Sequence, residues 1–187
     1  MPRIKKYNES EVIEKAMNLF WRNGYENTSM QTLEKEMGIN KFSIYSSFDN
    51  KHGLFLESLK SYRKKMSFIF EEFQQANNGV KDIKSFFYNS VNACALKGFE
   101  KGCLYTNTYH EFADKQDETV SLKINAFMTN LKGLFIEKLS INSDKDAETI
   151  AKQANYLVLA KHGLAVAARV NTQEEIEDYI EMTFKNL

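Results

Sequence analysis

Proline is almost absent from this sequence: Pro2 is the only one among 187 residues, and the eight glycines are scattered. Proline interrupts helices because it lacks a backbone N–H donor and restricts φ, so a chain without interior proline can form long helices. A fold made of hairpins and tight turns would need more of both residues. The composition therefore favours an all-α chain.

An apolar run long enough to cross a bilayer, about 20 residues, is also missing. Three basic residues lie within the first six, but Asn8 and Glu9 follow where a signal peptide needs an apolar segment. We therefore expect a cytoplasmic protein that has no membrane partner.

Cysteine is scarce as well, since only Cys94 and Cys103 are present. Two cysteines without zinc-ligand spacing in a cytoplasmic chain are more often reduced core residues than ligands. No Gly-rich phosphate loop or nucleophile elbow is present, so no cofactor, metal or catalytic residue is predicted.

The formal net charge is zero, but it is unevenly distributed. Residues 1–65 hold 12 Lys and Arg against 8 Asp and Glu, and residues 66–187 hold 13 against 17. A basic N-terminal third on an acidic body indicates that one end meets a polyanion.

Apolar residues recur every three or four positions along most of the chain, which predicts nine helices. Asn8 caps the first, which Gly24 ends, and Thr172 with Glu175 forms a capping box for the last. The other seven are predicted over about 29–37, 41–48, 51–73, 80–98, 104–112, 117–139 and 144–169. No internal repeat appears.

The segment GINKFSIYSSFDNKHGLF contains a short helix with two unlike faces. Ile44 and Phe48 lie four apart and are predicted to be core, whereas serines and Lys41 point outward. Only Gly38, Ile39 and Asn40 separate it from the helix before, as in a helix-turn-helix. Phosphates and base edges accept hydrogen bonds from side chains of this kind, although a solvated bundle surface has the same composition.

The segment GYENTSMQTLEKEMGINKFSIYSSFDNKHGLF, residues 24–55, resembles the DNA-binding region of the TetR family of bacterial transcriptional regulators. The shared features are the Gly-Tyr turn, Thr28, Ser29, Leu33, Gly38, Tyr45, Phe48, Lys51 and Leu54. KGCLYTNT at 101–108, followed by Glu111, resembles a segment of one branch of that family.

The resemblance implies a role for each residue of the head. Thr28, Ser29, Tyr45 and Lys51 would contact the phosphate backbone, and Gln31, Lys41, Phe42 and Ser43 would face the bases, with Ser46 also on the DNA-binding face. Phe42 departs from the small residue that many members carry, and its ring could touch a thymine methyl or tuck against the fold. Ser46 and Ser47 replace bulkier residues.

The resemblance also implies two domains. A helix-turn-helix domain would span residues 1–48, and residues 49–187, entered by a linking helix at 49–75, would bind an effector and dimerise. Residues 144–187 would supply half of a four-helix bundle in a homodimer. The expected interface residues are Leu157, Leu164, Ala168, Ile176 and Ile180.

The middle helices are rich in aromatic residues, which more often form plain core than a cavity. In the family this region encloses an effector pocket. The expected lining is Phe86, Phe87, Asn92, Tyr105, Tyr109, His110, Phe127, Leu131 and Tyr156. An apolar or aromatic small molecule would suit it.

The function expected from this resemblance is a repressor. It would bind a palindromic double-stranded DNA operator as a homodimer and leave it when the effector binds. The alternative is a helical small-molecule-binding or metal-dependent, hydrolase-like protein, because His110-Glu111 resembles part of a zinc-protease motif. Only three histidines exist in the chain, so that alternative is disfavoured. The operator, the effector and the choice between repression and activation stay open.

Overall fold

A computed structural model describes residues 7–95, 102–185 and 187, and in these residues the regular structure is helical without any strand. The ten helices are α1 Glu9–Asn23, α2 Met30–Met37, α3 Lys41–Phe48, α4 Lys51–Lys65, α5 Ser67–Gln75, α6 Val80–Ala95, α7 Leu104–Glu111, α8 Glu118–Leu139, α9 Ala147–Ala167 and α10 Gln173–Phe184. The all-α prediction is confirmed. Lys101 and residues 96–98 of the predicted helix 80–98 lie outside the described residues, as do the N-terminal basic residues.

The predicted helix ends are set by local hydrogen bonds. Asn8 is the N-cap of α1, and Thr172 and Glu175 form the reciprocal capping box of α10. Gly38 ends α2 in the left-handed conformation with φ 71°, which a residue with a Cβ adopts at a cost. These caps satisfy backbone groups that would otherwise lack a partner at each helix end.

The predicted linking helix is divided. α4 ends at Lys65, Met66 has φ −99° and ψ 2°, and α5 begins at Ser67. The expected run from 51 to 73 is therefore two helices, which explains ten where the periodicity predicted nine. The apolar spacing of threes and fours continues through Met66, so the sequence pattern does not mark the break.

The chain forms two compact units, Met1–Met66 and Ser67–Leu187. In the first, α4 packs along α1, so this unit extends past the boundary expected at residue 48. Its core contains an edge-to-face pair of Phe20 and Phe55 with ring centres 5.1 Å apart, and another of Trp21 and Tyr62 at 4.9 Å. Edge-to-face rings contribute beyond their buried area.

The second unit has an aromatic core. Phe86 stacks on Phe73 at 4.6 Å between ring centres, and Phe87 meets Phe184 edge to face at 5.0 Å. Lys138 is buried beside this core, and its Nζ donates to the backbone carbonyls of Gln74 (2.9 Å) and Ala76 (2.7 Å). A buried ammonium thereby supplies donors to the free carbonyls at the end of α5.

A helix that crosses a bilayer must be both long and apolar. No helix among the described residues meets both conditions.

Candidate functional site

The turn between α2 and α3 is held by both of its flanking helices. The Gly38 N–H donates to the Glu34 carbonyl at 3.0 Å, and the Asn40 side chain caps α3 by accepting from the Ser43 N–H at 2.9 Å. The Glu34 carboxylate accepts the N–H of Lys41 as well. With Ile44 and Phe48 buried below, α3 has a defined orientation on α2.

The outward face of α3 carries a cation and two aromatic rings. Lys41 and Ser46 are exposed, Phe42 is 70% exposed and Tyr45 is 40% exposed. The Lys41 Nζ lies 5.5 Å from the centre of the Tyr45 ring, within the range of a cation–π contact. Phe42 therefore projects from the fold instead of tucking against it.

The inner edge of α3 is bonded to Tyr7, which precedes α1. The Tyr7 phenol lies 2.6 Å from the Ser47 hydroxyl and donates to the backbone carbonyl of Ser43 at 3.4 Å. Ser43 and Ser47 are half-buried. Ser47, predicted to point outward, is thus engaged within the fold, and Tyr7 positions α3.

The start of α2 separates Thr28 from Ser29. Thr28 is fully buried, and its hydroxyl donates to the Gly24 carbonyl at 2.6 Å. The expected phosphate contact by the Thr28 side chain is contradicted, because its donor is used inside the fold. Ser29 is exposed at the N-cap, where it accepts from the Thr32 N–H at 3.1 Å, and Gln31 is exposed one turn on.

Lys51 lies at the start of α4. Its Nζ is 4.4 Å from the centre of the Tyr25 ring and 3.5 Å from the Glu26 carbonyl oxygen. These contacts hold the ammonium close to the turn that leads into α2. Ser29 and Lys51 thus border the α3 face on elements other than α3.

Sequence reasoning missed two residues that orient this face, Tyr7 and Glu34. Tyr7 is 36 residues from Ser43 in the chain, and no periodicity connects them. Glu34 could have been noticed, since a carboxylate that lies a few residues before a helix start can accept its free N–H groups.

The expected pocket residues differ in burial. Phe86, Phe87, Tyr105 and Leu131 are buried, and Phe127 is half-buried. The four polar members, Asn92, Tyr109, His110 and Tyr156, are exposed in the single chain. The place of these nine residues in an effector pocket stays a prediction.

Two sets of rings remain in the body. Phe86 and Phe87 pack into the aromatic core with Phe73, Phe135 and Phe184, as in a plain hydrophobic core. Phe127 lies against Tyr105 at 4.5 Å and Phe70 at 5.5 Å between ring centres. Phe70 and Phe127 are partly exposed, so this second set reaches the surface.

The expected interface residues are also mostly internal. Leu157, Leu164, Ile176 and Ile180 are buried within the single chain, and Ala168 is half-buried. These four are core residues of the single chain, on the inward sides of α9 and α10, and not exposed residues of an interface. The Tyr179 hydroxyl, on α10, donates to the Ala160 carbonyl, on α9, at 3.0 Å.

The outward sides of the same two helices are apolar. The exposed large residues of α9, α10 and the turn between them are Tyr156, Leu159, Val166, Val170, Tyr179 and Met182. Leu159 is 68% exposed and Met182 is 61% exposed. We call this set the α9/α10 face.

A hydrolase site based on His110 and Glu111 would need further ligands. Among the described residues, no group of three or more His, Cys, Asp and Glu side chains is arranged to hold a metal ion.

The N-terminal part of the chain, which we call the head, matches a known protein family. Residues 12–58 match the sequence profile of "Bacterial regulatory proteins, tetR family". This span covers α1 to α3 and the first half of α4, the elements that build and support the exposed α3 face.

Two curated proteins extend the similarity. The chain is 26% identical over 194 residues to the uncharacterized HTH-type transcriptional regulator YezE of Bacillus subtilis, covering 100% of both chains. It is 31% identical over 107 residues to the HTH-type transcriptional repressor ComR of Escherichia coli, covering 56% of this chain and 51% of ComR.

A solved structure extends the likeness in fold to the whole chain. It is the TetR family transcriptional regulator CifR, a cysteine mutant complexed with 26-base-pair double-strand operator DNA. The TM-score is 0.83, with 22% identity over 98% of this chain and 99% of CifR. With a family profile on residues 12–58, a regulator aligned from end to end and this shared fold, the N-terminal part of the chain is a DNA-binding domain of the TetR family of bacterial regulatory proteins, and the chain is a helix-turn-helix, DNA-binding transcriptional regulator.

Proposed function

We propose that this regulator is a repressor that binds a palindromic operator as a homodimer and releases it when a small apolar or aromatic effector binds. The observation that carries the proposal is the outward face of α3, where Lys41, Phe42 and Tyr45 project beside one another. A helix-turn-helix reads DNA by placing such a helix in the major groove. Because it acts on the chromosome, we assign it to the cytoplasm.

Within the head, the residues divide by the part of DNA that they meet. Lys41, Phe42, Ser43 and Ser46 belong to the first turns of α3 and are assigned to base edges, with Gln31 beside them. Ser29, Tyr45 and Lys51 border that face and are assigned to phosphates. Ser29 has the additional support of a helix N-terminus, whose free amides and dipole favour an anion.

The body is proposed to form the dimer through the α9/α10 face. Its exposed apolar side chains lie on the outer sides of two adjacent helices, and Gly163, also exposed, leaves room for close approach. One short reading helix contacts too few base pairs to select a site in a genome, whereas two helices in successive major grooves read twice as many. A twofold dimer also accounts for a palindromic site.

Repression is proposed from the relatives. ComR is named a transcriptional repressor, and the IcaR protein of Staphylococcus aureus, 33% identical over 52 residues, is named a negative transcriptional regulator. The part that IcaR shares with this chain is 28% of each protein, so this support concerns less than a third of the chain.

The effector is proposed to enter at the ring set of Phe70, Tyr105 and Phe127. This set is partly exposed and apolar, which suits an aromatic ligand that packs edge to face. Effector and operator would compete through the spacing of the two α3 helices in the dimer, with a coupling of about 1–3 kcal/mol. Linkage requires that DNA weakens the binding of the effector by the same factor by which the effector weakens the binding of DNA.

The test of the proposal is to sequence the genomic fragments retained by the purified protein and to footprint the enriched site. We expect one inverted repeat whose half-sites are about one helical turn apart. If unrelated fragments are retained with an affinity that depends on their length alone, the protein has no specific operator. If a single half-site without a repeat is bound by a monomeric protein, DNA binding holds but the proposed dimer is wrong.

A further inference from the structure

A histidine contacts a methionine where α7, α8 and α9 pack together, and a second histidine lies beside the first. The Nε2 of His162, on α9, lies 3.0 Å from the Sδ of Met128, on α8. His110, on α7, has its ring centre 6.5 Å from that of His162. We call His110, Met128 and His162 the His–Met cluster. None of its members takes part in the function proposed above.

The cluster offers two imidazole rings and one thioether. An imidazole nitrogen binds a metal ion through its lone pair. Sulfur of methionine is a soft, polarizable ligand that carries no charge.

The surroundings disfavour hard or divalent ions. Among the described residues, no group of three or more His, Cys, Asp and Glu side chains is arranged to hold a metal ion, so the cluster is not part of a site with several carboxylate ligands, which hard ions prefer. Lys161 adds a positive charge, which repels a divalent ion more strongly than a monovalent one. Imidazole nitrogen and thioether sulfur, without carboxylate oxygen, are the donors that Cu(I) selects.

We propose that the His–Met cluster binds one soft monovalent metal ion, of the Cu(I) or Ag(I) type, through His110, His162 and Met128. Two imidazoles on one ion with metal–nitrogen bonds of about 2.0 Å have ring centres about 5–6 Å apart, close to the separation of His110 and His162. The ion enters between His162 Nε2 and Met128 Sδ, which must move apart. Met128 can do so because its three rotatable bonds adapt easily.

A competing explanation is a plain N–H···S hydrogen bond from His162 to Met128. That contact needs neither His110 nor an ion. It predicts that removal of His110 changes nothing at Met128, whereas a shared ion makes all three side chains interdependent. The ring of Tyr109 lies 5.5 Å from His110 and 5.4 Å from His162, so a change at the cluster also reaches a tyrosine.

The first experiment is an anaerobic competition for Cu(I) between the full chain and the chromogenic chelator bicinchoninate. We expect one ion per chain, retained when one equivalent of Zn(II) is added. H110Q, H162Q and M128L should each weaken Cu(I) binding by about tenfold or more, since even loss of an outer-shell partner costs 10–100-fold. The matched control is H52Q, which removes the remaining histidine, in the other unit, and should leave the affinity unchanged.

Thiols also bind Cu(I), so the same titration is repeated on a C94S/C103S variant. Unchanged stoichiometry supports the cluster, and loss of the ion assigns it to the cysteines and overturns the proposal. H110Q that binds Cu(I) as tightly as the unaltered chain also overturns it, because a His162–Met128 contact alone would then suffice.

The second experiment does not depend on the folding of any variant. The wild-type chain is labelled with ¹³C at its methionine methyl groups and titrated with Ag(I), which is redox-inert. We expect the Met128 methyl resonance to shift and to saturate at one equivalent, with the other methionine methyls unmoved. A Met128 resonance that stays in place at one equivalent overturns the proposal.

Discussion

The two units of the molecule expose apolar side chains in different settings. In the described part of the first unit, the exposed large hydrophobic residues are Phe42 and Tyr45, both on α3 and both beside polar or charged neighbours. In the second unit, the exposed hydrophobic residues include the α9/α10 face, a stripe that crosses two helices. Isolated aromatic rings among hydrogen-bond donors are suited to a DNA groove, whose edges are lined by phosphates. Several apolar side chains on two adjacent helices are suited to contact with another protein surface.

The buried charge is distributed unequally as well. Lys138 is 1% exposed and lies in the second unit, where its donors serve backbone carbonyls. Lys41, the lysine on the α3 face of the first unit, is exposed. A lysine in the body therefore stabilises the fold, and a lysine on the head is available to a partner. Each contrast can be tested by substitution.

The largest effect is expected from a charge placed on the α9/α10 face. L159D should convert the dimer to a monomer, because a carboxylate buried at an apolar interface lacks a partner. Operator affinity should then fall by about a thousandfold or more, towards the non-specific level, because the two half-sites are no longer bound together. Light scattering and titration of a labelled operator measure the two changes.

The control is L122D, because Leu122 on α8 is 70% exposed but lies outside the α9/α10 face. This variant should remain dimeric and bind the operator normally. An L159D protein that stays dimeric would place the interface elsewhere. G163W is a less clean probe, since a Cβ at Gly163 would lie 3.2 Å from the Tyr179 hydroxyl and disturb an internal hydrogen bond.

The second effect is on the stability of the body. K138M keeps the aliphatic stem but removes the donors to Gln74 and Ala76, and unpaired buried carbonyls should lower the free energy of unfolding by about 2–3 kcal/mol. Urea unfolding followed by circular dichroism measures it. K152M, which removes an exposed pair with Glu148, should change stability by less than about 0.5 kcal/mol. Equal losses in the two variants would show that the burial of Lys138 has no energetic consequence.

The third effect separates base reading from phosphate contact in the head. K41A should cost about 1–3 kcal/mol at one preferred base pair and relax the choice there. K51A should weaken all sequences alike and reduce the slope of log affinity against log salt by about one counterion. Binding to a panel of single-base operator variants at several salt concentrations distinguishes them. If K41A weakens every sequence equally, Lys41 is a phosphate contact.

A smaller effect concerns Phe42. If its ring packs on a thymine methyl, replacing that thymine by deoxyuridine removes one methyl group and should cost about 0.8 kcal/mol. The F42A protein should not discriminate between the two operators. Deoxyuridine at thymines outside the half-sites is the control. If F42A and the unaltered protein discriminate equally between the thymine and deoxyuridine operators, Phe42 does not contact that methyl group.

The smallest effect is a pH dependence of the body. Burial first, and then the hydrogen bond to Glu181, raise the pKa of Tyr88 to about 12, and the Lys84 and Tyr88 hydrogen bonds lower the pKa of Glu181. Because the pKa of Tyr88 is raised in the folded state, Tyr88 contributes its full stabilisation below pH about 10 and loses it as the pH rises towards 12. Because the pKa of Glu181 is lowered in the folded state, Glu181 stabilises the fold above its ordinary pKa, and this stabilisation is lost as the pH falls through its lowered pKa.

E181Q should therefore move the pKa of Tyr88 back towards its ordinary value without reaching it, because burial remains. NMR titration of the labelled tyrosine ring measures this change. E148Q, on an exposed pair with Lys152, should leave the Tyr88 pKa where it is. A Tyr88 pKa that is unchanged in E181Q would leave burial and the charges of Glu177 and Asp178 as its causes.

Local signals predicted the head well. Asn8, Ser29 and Asn40 cap the helices that their side chains indicated, and Gly38 ends α2. Ile44 and Phe48 lie inside as their four-residue spacing required. Thr28 was misassigned because Ser and Thr at a helix start look alike in sequence, while only the fold decides which hydroxyl faces inward.

The body was predicted less well, because helical periodicity gives an apolar stripe without saying what covers it. Leu157 and Ile180 form such a stripe, and it is covered by the chain itself. Tyr109 and Tyr156 carry an apolar ring and a polar tip, so the same side chain suits either a lining or a surface. The division at Met66 had no proline or glycine to mark it.

Local sequence patterns were enough to predict the all-α class, the helix caps, the helix-turn-helix and the resemblance to the TetR family, because each depends on residues within one or two helical turns or on a fixed local spacing. Four features came from the packing of whole helices: the bond of Tyr7 to α3, the burial of Lys138, the choice of outward side chains on α9 and α10, and the position of His162 beside Met128 and His110. Those contacts join residues far apart in the chain, and their partners are set by how whole helices pack rather than by any pattern within one of them.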